Sequence, residues 1–285
     1  MQHSASRILK TRNINDMQTH ASLERATVGA TPPVLHLDCA ALSDAGRVRS
    51  NNEDALDWDA DAGLFVVADG MGGCNGGEIA SSLAVRVLLG EFRQLPLTLP
   101  RNDAGLAALS PSAMRLCSAI LKANRAVYET SLQDAQLAGM GTTLVATLFQ
   151  GQRAIIASIG DSRVYRCRGG QMEQLTVDHT VLQEQIEYGL ITPEQARYMG
   201  GRGLITRALG VERGVEVDVQ EQQLLPGDVY LLCSDGLFDM IEDRDICAIL
   251  RESGEEPQLA VRRLVEAANG SGGYDNISVI AVRTS

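Results

Sequence analysis

The chain has 285 residues, of which 45% are hydrophobic, 21% charged and only 4% aromatic, so it can bury a large core built mainly of Leu, Val, Ile and Ala. Its formal net charge of −11 excludes the basic surface that nonspecific nucleic-acid binding needs, and it disfavours docking on anionic lipid. None of the six cysteines forms a CxxC pair, which argues for small core hydrophobes in a reducing compartment and against a zinc site. No run approaches the ~20 apolar residues of a membrane span, and the first twenty residues have no apolar signal core. A soluble cytoplasmic protein with no membrane partner is expected.

Residues 1–33 are polar, weakly patterned and end in Pro32-Pro33, which reads as a flexible N-terminal extension. From residue 34 onward, strand and helix signals alternate. Val34 to Leu42 and Leu64 to Ala68 have strand character, the second continuously apolar and therefore buried on both faces. Gly76 to Leu95 carries apolar residues at helical spacing, and a loop follows to Leu109. Ser110-Pro111 then opens a second helix, with serine as N-cap and proline in the first turn. Its stripe of Ala113, Cys117, Ile120, Leu121 and Val127 is apolar except for Asn124.

Strand-rich runs follow at Thr142 to Phe149, Ala154 to Ile159 and Val164 to Cys167. A helical insertion spans about Val181 to Met199, within which Thr192-Pro193-Glu194-Gln195 matches a capping box. Strands resume at Val215 to Val219 and Val229 to Cys233, helices near Asp243 to Leu250 and Pro257 to Ala268, and a last strand from Ile277 to Val282. This order is not a strict βαβ alternation. It predicts an α+β sandwich with two central sheets and helices outside.

Four short segments place an aspartate next to a strand and beside Gly, Ser or Asn: Asp69-Gly70, Gly160-Asp161-Ser162, Ser234-Asp235-Gly236 and Asp275-Asn276. A charge at the end of a buried strand is costly unless something pairs with it, and a hard divalent cation is one such partner. A turn is the plain alternative for any one Asp-Gly. A fifth segment, Gly46-Arg47-Val48-Arg49-Ser50-Asn51-Asn52-Glu53-Asp54, sets guanidinium groups near two carboxylates, and an arginine fork matches a pair of phosphate oxygens. Arg47 itself reads more simply as a residue of a solvated turn.

Taken in order, these segments resemble the motif series of the metal-dependent protein phosphatases of type 2C, in its bacterial form. The series runs Arg-x-x-Asn-Glu-Asp, Asp-Gly-Met-Gly-Gly, Gly141-Thr142-Thr143, Gly-Asp-Ser-Arg, Asp178-His179, Ile205 to Gly210, Ser-Asp-Gly-Leu and Asp-Asn-Ile-Ser. The resemblance covers about Leu37 to Val282. It implies a four-layer α-β-β-α sandwich with two mostly antiparallel central sheets, one catalytic domain over residues 34–285, and a flap insertion at about residues 179–202.

It also implies a site. Asp69 would bridge two Mn²⁺ or Mg²⁺ ions, with the Gly70 carbonyl on one of them and Asp235 and Asp275 completing the protein ligands. Glu53 and Asp54 would act through coordinated waters. Asp161, with Asp235, would hold a possible third ion, and Arg49 would hold the phosphate. The implied reaction is hydrolysis of phosphoserine and phosphothreonine by a metal-activated water, opposing a bacterial Ser/Thr kinase, by a monomer acting on phosphorylated proteins.

One position departs from many eukaryotic relatives. Met71 stands where they carry a His that is the usual proton donor, which leaves a coordinated water or, less simply, His179 for that role. A catalytically silent phosphoprotein-binding module and a small-phosphoester hydrolase remain as alternatives. The absence of a GxxxxGK[ST] loop argues against an ATPase.

Overall fold

The computed structural model describes residues 9–10, 36–72, 76–93, 109–196, 198–201 and 203–285. The rest of the extension, most of the loop expected before Leu109, and Gly73, Cys74 and Arg202 lie outside the described residues.

In chain order the strands and helices are β1 (Leu9–Lys10), β2 (Leu37–Asp44), β3 (Asp54–Asp59), β4 (Leu64–Met71), α1 (Gly76–Arg93), α2 (Pro111–Ser131), β5 (Gly141–Thr142), β6 (Leu144–Gln150), β7 (Arg153–Ile159), β8 (Arg163–Arg168), β9 (Gln171–Gln174), α3 (Val181–Glu187), α4 (Pro193–Ala196), β10 (Val217–Gln223), β11 (Val229–Cys233), α5 (Asp235–Phe238), α6 (Asp243–Glu252), α7 (Pro257–Gly270) and β12 (Ile277–Thr284). One sheet has the order β1-β10-β7-β6-β4-β3 with β5 also on β4, and the other the order β2-β12-β11-β8-β9. Every pairing is antiparallel except that of β1 with β10, where Leu9 and Lys10 add a short parallel strand beside Val217 and Asp218.

The layers follow from the two-residue period of a strand. On β4, Leu64, Val66 and Ala68 face α1 and α2 and pack with Leu88, Leu116 and Ile120. Phe65 and Val67 face the other way, into an inter-sheet core with Val145, Phe149, Tyr230, Leu232 and Ile280. On the far side, Leu231, Val279 and Ala281 pack under α6 and α7 through Ile246, Val261 and Leu264. Buried on both faces, β4 reads as a continuous apolar run, as its sequence predicts. The result is the expected α-β-β-α sandwich.

The Ser110 side chain accepts from the Ala113 backbone N–H, with Pro111 opening α2. The capping box is closed both ways: the Thr192 N–H donates to Gln195 Oε1 at 2.8 Å and the Gln195 N–H to Thr192 Oγ1 at 3.2 Å. The helical insertion comprises two short helices: α3 stops at Glu187, Gly189 follows with φ +68°, and α4 starts at Pro193.

Asn124 explains the polar gap in the α2 stripe. It is 1% exposed, it donates to the carbonyls of Glu212 and Arg213, and its Oδ1 accepts from the Gly210 N–H at 2.8 Å. It ties α2 to the loop before β10. Replacing it leaves three backbone groups without their partner. Asn124→Ala is therefore expected to lower unfolding free energy by about 2–4 kcal/mol in urea titrations.

Candidate metal centre

The acidic residues come together where the chain passes between the two sheets. Asp69 lies on β4 directly opposite Asp54 of β3. Asp161 sits in the short crossing from β7 to β8, after Gly160 at φ +91°. Asp235 opens the one-turn helix α5 immediately after β11, and Asp275 precedes β12. A cleft of about 390 Å³ is lined by Glu53, Asp69, Gly70, Asp161, Asp235 and Asp275, with Arg49, Met71 and Thr143 also on its wall. Seven of the eight sequence-predicted site residues thus line one cleft. The eighth, Asp54, lies behind it, where its Oδ2 accepts from the Ser234 hydroxyl at 2.8 Å.

The Asp69-Gly70 pair is not a turn. Both residues belong to β4, with Gly70 paired to Thr142 and the Gly70 N–H donating to the Glu53 carbonyl at 3.2 Å. Glycine is required by space: a Cβ there would lie 2.1 Å from the Gly77 carbonyl oxygen and 2.5 Å from that of Glu53. Only a bare backbone lets the start of α1 close over the strand.

Residues with no charge hold the carboxylates in place. Thr143 Oγ1 accepts from the Asp69 N–H at 3.0 Å and bonds Ser162 Oγ at 2.7 Å, linking the Asp69 and Asp161 corners. Thr142 Oγ1 donates to the Asp69 carbonyl. Asn276 accepts from the Glu53 N–H at 2.8 Å and donates to the carbonyls of Ala45 and Asn51, so one side chain fixes the 45–53 loop against Asp275. Thr143, quoted above only within its motif, is the positioning residue that the sequence reading missed. A buried amide or hydroxyl beside an aspartate was the available signal.

The electrostatics are those of concentrated negative charge. Burial pushes Asp69 well above the usual carboxylate range, and the charges of Asp54, Asp235, Asp161 and Asp275 push it further. Burial raises Asp235 to about 8 and Asp161 to about 6, with other carboxylates adding to both. Burial also raises Asp54 to about 6, although the Ser234 bond opposes the shift. The buried Oδ1 atoms of Asp54 and Asp235 have no hydrogen-bond partner.

Among the described residues, Arg49 makes the one direct cationic contact to a cleft carboxylate, its Nη2 lying 2.7 Å from Asp275 Oδ2. Among the described residues, no three His, Cys, Asp or Glu side chains already close around a single point. The donor set does fit Mg²⁺ or Mn²⁺, which take few protein carboxylates, a carbonyl and several waters rather than an all-protein cage. Uncompensated carboxylate oxygens and mutual repulsion are what such an ion relieves.

The chain matches the family model described as Protein phosphatase 2C over residues 45–263. It belongs to the protein phosphatase 2C family. It is 40% identical over 248 residues to the Serine/threonine protein phosphatase PstP of Mycobacterium tuberculosis, an alignment that takes in 86% of this chain and 45% of PstP. The chain therefore spans about half the length of that relative. Against the Serine/threonine phosphatase stp of Listeria monocytogenes it is 34% identical over 243 residues, covering 84% of this chain and 93% of that one. The crystal structure of the PstP catalytic domain in complex with two manganese ions superposes with a TM-score of 0.75 at 38% identity, over 88% of this chain and 99% of that one.

Two further residues of the motif series make well-defined contacts near the cleft. Arg163 forks onto Asp178, with Nη2 to Oδ2 at 2.6 Å, and stacks over the Phe238 ring at 3.7 Å, which braces the corner after Asp161. His179 is 5% exposed and lines a different cavity, and its Nδ1 accepts from the Gly160 N–H at 3.0 Å.

The carboxylate shifts set a pH dependence. Folded-state values above the ordinary 3.8 favour the protonated folded form, so the stability they contribute is present below about pH 4 and lost as pH rises through about 6 and then about 8. In EDTA, the melting temperature is expected to fall from pH 5 to pH 8.5, less steeply in Asp235→Asn. Saturating Mn²⁺ should flatten the wild-type slope. An equal slope in wild type and variant would sink the assignment.

Proposed function

We propose that residues 34–285 form a metal-dependent serine/threonine protein phosphatase domain. The supporting observation is the convergence of carboxylates from both sheets on one cleft, with Arg49 on its wall. Asp69, Asp235, Asp275 and the Gly70 carbonyl would hold two ions of Mn²⁺ or Mg²⁺, and Asp161 with Asp235 a third. Glu53 and Asp54 would anchor coordinated water. Bound ions would supply a water activated near neutral pH and positive charge against the phosphoryl oxygens.

The chain's own residues do the rest. Arg49 presents a fork to the phosphate, exchanging its Asp275 contact for substrate. Thr143 and Asn276 keep the carboxylates from swinging out of register. Met71 lines the cleft and offers no proton, so the leaving alkoxide draws its proton from solvent within the cleft. His179 faces a different cavity, with its Nδ1 accepting from the Gly160 N–H and its Nε2 3.3 Å from Asp218 Oδ2, which argues against it as that donor. The bacterial Ser/Thr phosphatases among the relatives support phosphoproteins as substrates, and an opposing bacterial Ser/Thr kinase is part of the proposal. No helix among the described residues is long and apolar enough to cross a membrane, and a cytoplasmic monomer is part of the proposal.

With Mn²⁺ and a phosphothreonine peptide, Asp69→Ala and Asp235→Ala are each expected to lose at least ~10³-fold in kcat. Arg49→Ala should lose about 10–100-fold in kcat/KM. A folded, Mn²⁺-loaded wild type without turnover would instead favour a silent phosphoprotein binder. His179→Ala should melt earlier, yet keep the acid limb of its pH–rate profile. Loss of that limb would make His179 the proton donor.

A further inference from the structure

The mouth of the cleft is edged by two loops laced together. The Arg47 N–H donates to the Gly273 carbonyl at 2.7 Å, Asn276 Nδ2 donates to the Ala45 carbonyl at 3.0 Å, and Arg49 Nη2 meets Asp275 Oδ2 at 2.7 Å. Adjacent glycines then let two side chains lie flat. A Cβ on Gly273 would come within 3.0 Å of Arg47 Cγ, so the arginine stem lies against that backbone. A Cβ on Gly272 would meet the Tyr274 ring at 2.9 Å, so the ring folds back over Gly272. Val48 and Tyr274 are both 62% exposed. Arg47 is exposed as well and, unlike Arg49, has no ion-pair partner among the described residues.

We propose that Arg47, Val48 and Tyr274 form a ledge that receives the substrate segment next to the phosphorylated side chain and selects an acidic residue there. The proposal rests on the phosphatase reading above and adds a substrate class to it. Two features argue for this occupant. The ledge borders the cleft, since Arg47 lies two residues before Arg49 and Tyr274 immediately before Asp275, both of which line it. Its charge is also opposite to its surroundings: the chain carries −11 and the cleft wall is carboxylate-rich, whereas Arg47 with Arg49 makes a local cationic edge. A guanidinium fork pairs best with a carboxylate, and its aliphatic stem and the neighbouring ring cover the apolar part of the segment. Without Arg47, the acidic field would favour basic segments.

The test compares wild type, Arg47→Ala and Arg47→Glu, each with Mn²⁺. The substrates are phosphothreonine peptides identical except for Glu, Ala or Lys at each of the two positions on either side, together with an aryl phosphate that has no flanking residues. Wild type should prefer Glu over Ala at one of those positions by about two- to fivefold in kcat/KM, through KM, as expected for an exposed ion pair. The preference should shrink with added salt. Arg47→Ala should abolish the preference for Glu and tip the ranking weakly toward Lys, and Arg47→Glu should turn it toward Lys more strongly. A wild type without acidic preference would overturn the ledge, as would an Arg47→Glu variant that keeps the wild-type ranking. An Arg47→Glu that slows the aryl phosphate as much as the Glu peptide would also overturn it, because Arg47 would then act on the phosphate itself. A wild type that hydrolyses neither peptide nor aryl phosphate would fail the phosphatase reading first, and the ledge with it.

Discussion

Several carboxylates crowd into one part-buried cleft, where among the described residues a single guanidinium, that of Arg49, is in direct contact. Each is expensive to bury as an anion, and each raises the cost of the others. Nothing in the hydrophobic core asks for this arrangement; the sandwich could close around apolar residues at a lower free energy. The charge concentration is tolerated because neutral groups such as Thr143, Ser162 and Asn276 fix the carboxylates rigidly, and because the donor set suits hard divalent cations.

The place of the cleft follows from topology. Asp54 and Asp69 come from one sheet with Glu53 immediately before β3, Asp235 and Asp275 border strands of the other, and Asp161 sits in the crossing between them. The packing of one sheet on the other therefore sets how far apart the two halves of the site stand. The packing of Phe65, Val67, Tyr230 and Ile280 between the sheets is part of the site's geometry although none of them touches it. Gly70 makes the same link locally, because the close approach of α1 and the Glu53 carbonyl depends on its missing side chain.

Much of this was legible in the sequence because the signals are local. The continuous apolar run of β4, the Ser110-Pro111 start of α2 and the Thr192 capping box all act within a few residues, and the structure shows each where the sequence places it. The aspartates were legible as a set because charges beside apolar strands are rare enough to count. Less visible were features that depend on distant partners. Asp69-Gly70 looks like a turn until Thr142 is paired with it, Asn124 looks like a flaw in a helix stripe until the 210–213 loop arrives, and Asp54 is drawn behind the cleft by Ser234, which lies 180 positions away. Within the insertion the capping box marks the start of α4, but the end of α3 before Gly189 was not read from the sequence.

Anomalous diffraction at the manganese edge, from crystals grown with Mn²⁺, addresses the metal assignment most directly. Two strong peaks between Asp69, Asp235 and Asp275, one of them within coordination distance of the Gly70 carbonyl, are expected, with a weaker third beside Asp161. A map with no peak in this cleft at saturating Mn²⁺, or with its strongest peaks among other carboxylates, would contradict it.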